Sequence, residues 1–357
     1  MIWNKTSRKT VFILGAGATR GAFSHVVLNR RRIRAPLNWD FFKIAKTFAA
    51  AQRNGGFQER YDRIRKVFRE EFPTRGRWPI PMEEAFSLLY VSKDFPEIYV
   101  TRGRRRQAGT RKEIEDFLRL TYGILSTIES KAPEQNLYSQ LIAQLEPQDT
   151  LITLNYDTLV DSALVDAGWD PQAGYGLIGG KKRISWSRQR PHAFPLAGIK
   201  LLKLHGSLNW YVKGSFQKLG RVFEAKPSRV LISKPARTNE IHGLVRQIVP
   251  PIYGKFFGHK HWREIWDQAY KSLVGAEVLV IIGCSLVNTD FHLSGMLSHA
   301  VKKRKVSKDP LRLLVTVDRS VKTRRKWTAL SNGITLKNMS YPSFKRFAKA
   351  CLKERKK

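Results

Sequence analysis

Apolar and polar positions along the chain repeat one order: a short apolar run, a loop of small or polar residues, then apolar residues at helical spacing. The first run is residues 11–14 (VFIL), which leads into Gly15-Ala16-Gly17-Ala18-Thr19-Arg20-Gly21. Residues 151–154 (LITL) are followed by Asn155-Tyr156-Asp157-Thr158, and then by Leu159, Val160, Ala163 and Leu164 at the spacing of one helix face. The order returns at 199–204 (IKLLKL) before His205-Gly206-Ser207 and at 277–282 (EVLVII) before Gly283-Cys284-Ser285. Residues 311–317 (LRLLVTV), with Asp318 at their end, read as the last strand. Apolar runs that do not alternate, separated by helices, predict parallel strands covered on both faces. The fold class is therefore α/β, a doubly wound Rossmann-like parallel sheet. In such sheets ligands bind beyond the carboxyl ends of the strands, where these loops fall.

Two stretches break the order. Residues 43–144 carry stripes such as Ile64, Val67 and Phe68, or Phe117, Leu118 and Ile124, which predict a helical insertion interrupted by Gly-, Pro- and Arg-rich loops. Residues 211–248 alternate enough to suggest a small irregular or β-rich insertion. The Rossmann-like domain then comprises 1–42 and 145–357. Helices are expected at 262–274 and 291–301, with a basic one at 343–353; there is no internal repeat.

Composition narrows the class. With 357 residues, 42% hydrophobic and 11% aromatic, the chain can bury a full core. Its longest apolar run, 278–287, contains Gly283 and Ser285 and is too short to span a bilayer. The basic start runs straight into a strand and glycine loop, which is not the build of a signal peptide. Two cysteines, Cys284 and Cys351, support neither a disulfide framework nor a four-cysteine zinc site. A cytoplasmic protein without membrane contact is expected. Lys and Arg number 65 against 29 Asp and Glu, a formal net charge of +36. That field favours anionic partners, but the charge is scattered in short runs with no recognisable nucleic-acid motif, so it is read as non-specific nucleic-acid capacity.

The candidate chemistry lies in the loops. A glycine turn between strand and helix lets backbone approach a pyrophosphate. Taken alone, the 151–164 segment reads as Asp157 or Thr158 capping the helix and Asn155 making the turn. His205 alone reads as a bonded core histidine; its pairing with Asn155 on a neighbouring strand end is what makes it a candidate. His259 and His261 have no third ligand and are read as surface or hinge residues, and no metal is expected. Cys284 is read as packing.

Taken in order, the loops GAGAT with Arg20, PLNWDFF, ITLNYD, KLHGS, VPPIYGK and IIGCSLVNTD resemble the sirtuin family, and in particular its sirtuin-like branch of bacterial anti-phage defence. The matches run from Val11 to Asp318; the two insertions are not covered. The resemblance implies NAD as the bound dinucleotide. Gly15, Ala16 and Gly17 would cradle its pyrophosphate, with Thr19 and Arg20 completing that loop. Asp40 and Phe41 match the loop over the nicotinamide end. Asn155 matches the asparagine that positions ribose and water, Asp157 the aspartate near the carboxamide, and His205 the catalytic histidine. Gly283 and Ser285 match the adenosine-side loop, where Cys284 replaces the usual threonine, and Asp318 more loosely matches the adenosine-ribose position.

Chemistry is consistent with those roles. Breaking the nicotinamide–ribose bond passes through an oxocarbenium-like state and needs a nucleophile on the far face of the sugar. A neutral imidazole can take the proton, whereas an asparagine can only orient. The deacylase branch carries a four-cysteine zinc module that two cysteines cannot build. The expected activity is therefore NAD glycohydrolysis, giving nicotinamide and ADP-ribose, in a regulated NAD-depleting effector. Control by homo-oligomerisation, or by a partner such as a HerA-like ATPase or a nucleic-acid-sensing subunit, is what the resemblance implies. The alternatives are a non-catalytic module binding NAD, ADP-ribose or nucleic acid, and thirdly an NAD-dependent protein deacylase.

Overall fold

Thr10–Leu14 (β1) is buried along its whole length, and it stands in the middle of a six-stranded parallel sheet. A computed structural model describes residues 8–52, 56–71, 79–94, 107–177, 183–184, 196–213, 231–232, 244–252, 260–286 and 290–355. Outside them lie residues 253–255 of the VPPIYGK motif, 287–289 of the IIGCSLVNTD motif, Arg102, Arg104, Arg105 and Arg106, and His259.

In chain order, β1 is followed by α1 (Ala16–Ala22), β2 (Val26–Leu28), β3 (Arg31–Ile33), α2 (Phe41–Ala51), α3 (Phe57–Glu71), α4 (Met82–Asp94), α5 (Gln107–Lys131) and α6 (Leu137–Ile142). Then come β4 (Thr150–Thr153), α7 (Leu159–Asp166), α8 (Pro171–Gly174), β5 (Arg183–Ile184), β6 (Lys200–Lys203), β7 (Gly206–Lys213), β8 (Leu231–Ile232) and β9 (Leu244–Ile248). The last are α9 (Lys260–Val274), β10 (Val278–Ile282), α10 (Phe291–Ser307), β11 (Leu313–Val317), α11 (Val321–Leu330), β12 (Asn338–Tyr341) and α12 (Phe344–Arg355).

The central sheet runs β12-β11-β10-β1-β4-β6. From β1 the chain builds outward to β4 and β6, then returns to the other side of β1 for β10, β11 and β12. This is the doubly wound Rossmann-like order, and its switch point lies between β1 and β10. Helices cover both faces, so β1, β4, β10 and β11 are buried at every position, and no alternation survives in their sequences. Registers place the strand ends in one row: Leu14 pairs with Ile282 and Thr153, Thr153 with Lys203, and Ile282 with Val317.

Three elements depart from the sequence reading. The sheet does not end at β11: β12 (NMSY) is a sixth strand, half exposed at the sheet edge, and too short and polar to stand out as an apolar run. The second sheet, β5-β8-β7-β9, reaches beyond the expected 211–248: it takes β5 from residues 183–184, and β7 starts at Gly206 because it leaves β6 with only Leu204 and His205 between them. The basic run at Arg30, Arg31 and Arg32 belongs to a hairpin, β2–β3, turned by Asn29 and Arg30 at φ 45° and 63°. Left-handed φ at both central residues is the two-residue hairpin turn, and Asn-Arg is a weak signal for it.

Helices α2 to α5 form an aromatic layer in which Phe41 stacks on Phe117 at 5.2 Å and Phe86 meets Phe117 edge-on at 4.9 Å. Asp116, itself buried, ties this layer together by accepting from Arg63 at 2.8 and 3.1 Å. Among the described residues no helix is long and apolar enough to cross a membrane.

Candidate functional site

The switch point is closed by glycine backbone. Gly15 donates its N–H to the Ile282 carbonyl (3.0 Å) and Gly17 to the Gly283 carbonyl (2.9 Å). A β-carbon on Gly15 would stand 2.5 Å from the Gly283 oxygen, and one on Gly283, which has φ +57°, only 2.1 Å from the Ala18 nitrogen. No side chain fits either position. Because these two N–H groups are spent within the fold, what the glycines offer a ligand is bare backbone surface rather than those donors.

Asn155, Thr19 and Asp157 form one buried network. Asn155 Nδ2 donates to the Gly15 carbonyl and to Thr19 Oγ1, both at 3.0 Å. Thr19 in turn donates to Asp157 Oδ2 at 2.8 Å, and Tyr138 Oη lies 3.0 Å from the same hydroxyl. Asp157 also accepts from the Leu159 N–H through Oδ1 (3.3 Å), so it serves the start of α7 as well as the network. Burial pushes its carboxyl above the usual range, while Lys203 and the Thr19 bond hold it down.

His205 lies two residues beyond Lys203, as Asn155 lies two beyond Thr153, and those strand ends are in register. The two side chains thus come from equivalent positions on adjacent strands, whose spacing is about 4.8 Å. His205 Nε2 stands 3.5 Å from Asp290 Oδ1, with both side chains 6% exposed. Asp290 precedes α10 and was not singled out in the sequence; its place in the polar end of IIGCSLVNTD was the available signal.

These groups face a cleft of about 500 Å³, a size suited to a small organic ligand. Gly15, Ala16, Gly17, Thr19, Phe41, Asn155, Asp157, His205, Gly283, Ser285 and Asp318 all line it. Arg20 and Asp40 do not. They pair with each other at 2.6 Å, Arg20 donates to the Ala35 carbonyl, and Asp40 accepts from the Leu37 N–H at 2.8 Å. Their part is to hold the 35–40 loop over the cleft. Phe41 is wholly buried in the aromatic layer, so the aromatic group open to the cleft mouth on this loop is Trp39, 67% exposed. Glu83, Asp157, Asp290 and Asp318 give the wall four carboxyl groups, and among the described lining residues there is no Lys or Arg. Asp318 is pushed up by burial and held down by the Ser320 N–H and Arg324.

Beneath the cleft lies a layer the sequence did not suggest. Glu129 of α5 accepts from the Thr158 N–H at 2.6 Å; burial and the charge of Asp157 push it up to about 8. Lys203, wholly buried, donates to the Asp157 carbonyl (2.6 Å) and to Asp161 (2.9 Å), and Tyr175 donates to the other Asp161 oxygen. A lysine ending an apolar strand and an aspartate on the apolar face of α7 were the available clues. Cys284 is buried and its thiol is pushed up to about 12 by desolvation, so it is no nucleophile at neutral pH. Among the described residues no cluster of His, Cys, Asp or Glu has the make-up of a metal site.

No protein-family model matches this chain, and no curated protein matches it in sequence.

Proposed function

We propose that the chain is a sirtuin-like NAD glycohydrolase, cleaving the nicotinamide–ribose bond of NAD with water to give nicotinamide and ADP-ribose. The observation that carries this reading is the paired placement of Asn155 and His205 at adjacent, in-register strand ends beside the glycine-closed switch point. In the reaction the C1′–N bond breaks and its electron pair neutralises the pyridinium nitrogen. Water bonds to C1′, and its proton passes to His205. The Asn155 Nδ2 donors are committed to Gly15 and Thr19, which leaves Oδ1 as the atom of the amide to accept from a water or ribose hydroxyl. Asp290 behind the imidazole stabilises its protonated form. A cleft rich in carboxyl groups suits the cationic nicotinamide end and the positive charge that develops on the ribose. A freely active enzyme of this kind drains a cell of NAD, so restraint by self-association or a regulatory partner belongs to the reading.

The test is nicotinamide release from NAD by purified protein, with Asn155→Ala and His205→Ala alongside. Loss of release in both variants, with ADP-ribose binding kept in His205→Ala, is expected. Unchanged turnover in both refutes the assignment. Tight ADP-ribose binding without turnover under any condition favours the non-catalytic module, and deacetylation of a peptide only when NAD is supplied favours the deacylase.

A further inference from the structure

A second concave region lies between α11 and the edge strand β12, adjoining the cleft at the start of α11, where Ser320 and Thr323 line the cleft and Val321 and Arg324 the groove. It has a volume of about 540 Å³ and is lined by Arg324, Arg325, Thr328, Asn332, Asn338 and Ser340 among others. Residues 301–357 hold 19 Lys and Arg against three Asp and Glu. Cations from two helices come near each other here. Arg324 and Arg325 come from α11, while Lys305, near the end of α10, lies against the lining residue Gly333, its Nζ 3.8 Å from where a β-carbon would stand. Arg325 and Lys305 are exposed, and among the described residues neither has a carboxylate partner. Arg324 is braced by the Asp318 and Arg319 carbonyls, which fixes one wall.

We propose that this groove binds the sugar–phosphate backbone of single-stranded nucleic acid. Unneutralised cations beside a trough match a chain of phosphates, and the Asn332 and Asn338 amides with the Ser340 hydroxyl supply uncharged donors to phosphate oxygens, the Thr328, Ser331 and Thr335 hydroxyls being spent on backbone carbonyls. Among the described residues the groove lining offers no aromatic ring on which a base would stack, so recognition is of the backbone, with little preference for sequence. This site is independent of the NAD reading: the cleft wall is acidic and the groove basic, so the two take different ligands.

The experiment is fluorescence anisotropy of a labelled 20-nucleotide DNA strand of mixed sequence against the full chain, titrated over salt. The double variant Lys305→Glu with Arg325→Glu is set beside Lys43→Glu with Lys46→Glu, an equal charge change at two exposed positions of α2. The groove variant is expected to bind at least tenfold more weakly, and its log–log salt slope to fall by about 1.4, at roughly 0.7 per phosphate contact on a single strand. The α2 variant is expected to stay within twofold of the unaltered chain. Equal weakening in the two variants, or no binding by the unaltered chain at low salt, overturns the proposal. So does competition by polyglutamate as effective as by an oligonucleotide of equal charge, which assigns the groove to an acidic peptide.

Discussion

Replacing Thr19 by valine removes one hydroxyl and keeps the side-chain shape, so the loss is polar rather than steric. That hydroxyl donates to Asp157 (2.8 Å), accepts from Asn155 (3.0 Å) and lies 3.0 Å from Tyr138 Oη, all among buried groups. A bond to an ionised group contributes about 1.5–3 kcal/mol and a neutral one about 0.5–1.5 kcal/mol, so the three together come to roughly 2.5–6 kcal/mol. Partial relaxation of Asn155, which keeps its Gly15 bond, places the expected cost at about 3 kcal/mol. The Thr19 bond favours the ionised form of Asp157, so the penalty is largest at high pH and shrinks as the carboxyl protonates. Urea unfolding followed by tryptophan fluorescence measures it, with Thr19→Ser, which keeps the hydroxyl, expected within about 1 kcal/mol of the original. On the proposed reaction the valine variant, with Asn155 released, loses kcat by about 10- to 100-fold with a smaller change in KM. A valine variant as stable as the serine one, at every pH, refutes the idea that this hydroxyl joins the two strand-end loops.

The remaining expectations rest on separate contacts. Gly283→Ala drives a β-carbon to 2.1 Å from the Ala18 nitrogen, and is expected to abolish soluble folded protein or lower its melting temperature sharply; Gly295→Ala, in open space on α10, is expected to stabilise by up to about 1 kcal/mol. Lys203→Met leaves the buried Asp161 without its cation and is expected to cost about 3–5 kcal/mol, with much of the loss recovered when Asp161→Asn is added. Burial pushes Glu129 up to about 8 in the fold against an ordinary 4.5, so its contribution is fully present below 4.5 and is lost as pH rises to about 8. Glu129→Gln keeps an acceptor for the Thr158 N–H, and its stability is expected to fall less steeply over that interval, by up to about 1.4 kcal/mol per pH unit; an unchanged slope contradicts the buried acid.

The strands of the central sheet were legible because burial on both faces writes itself as an unbroken apolar run, as in VFIL, LITL and VLVII. From the order of runs and polar loops alone followed the doubly wound class and the line of candidate residues at the strand ends. The edge strand β12 was not legible, since a half-exposed strand needs no apolar run, and the Asn29–Arg30 turn lacked the glycine that usually marks it. What packing alone decided is which of those residues meet. The register of β4 against β6 sets Asn155 beside His205, while Arg20 and Asp40 satisfy each other as a brace for the 35–40 loop. Asp290 and the Lys203–Asp161 pair left only faint local clues and Glu129 none, because a buried charge is tolerated only through partners distant in sequence. The same holds for charge: the sequence fixes its sum, but the turn of the chain after α10 is what brings Lys305 and Arg325 to one groove while the cleft stays acidic. Hydrophobic period is a local property of the chain, whereas pairing of polar groups is a long-range one that exists only after the strands have chosen their neighbours.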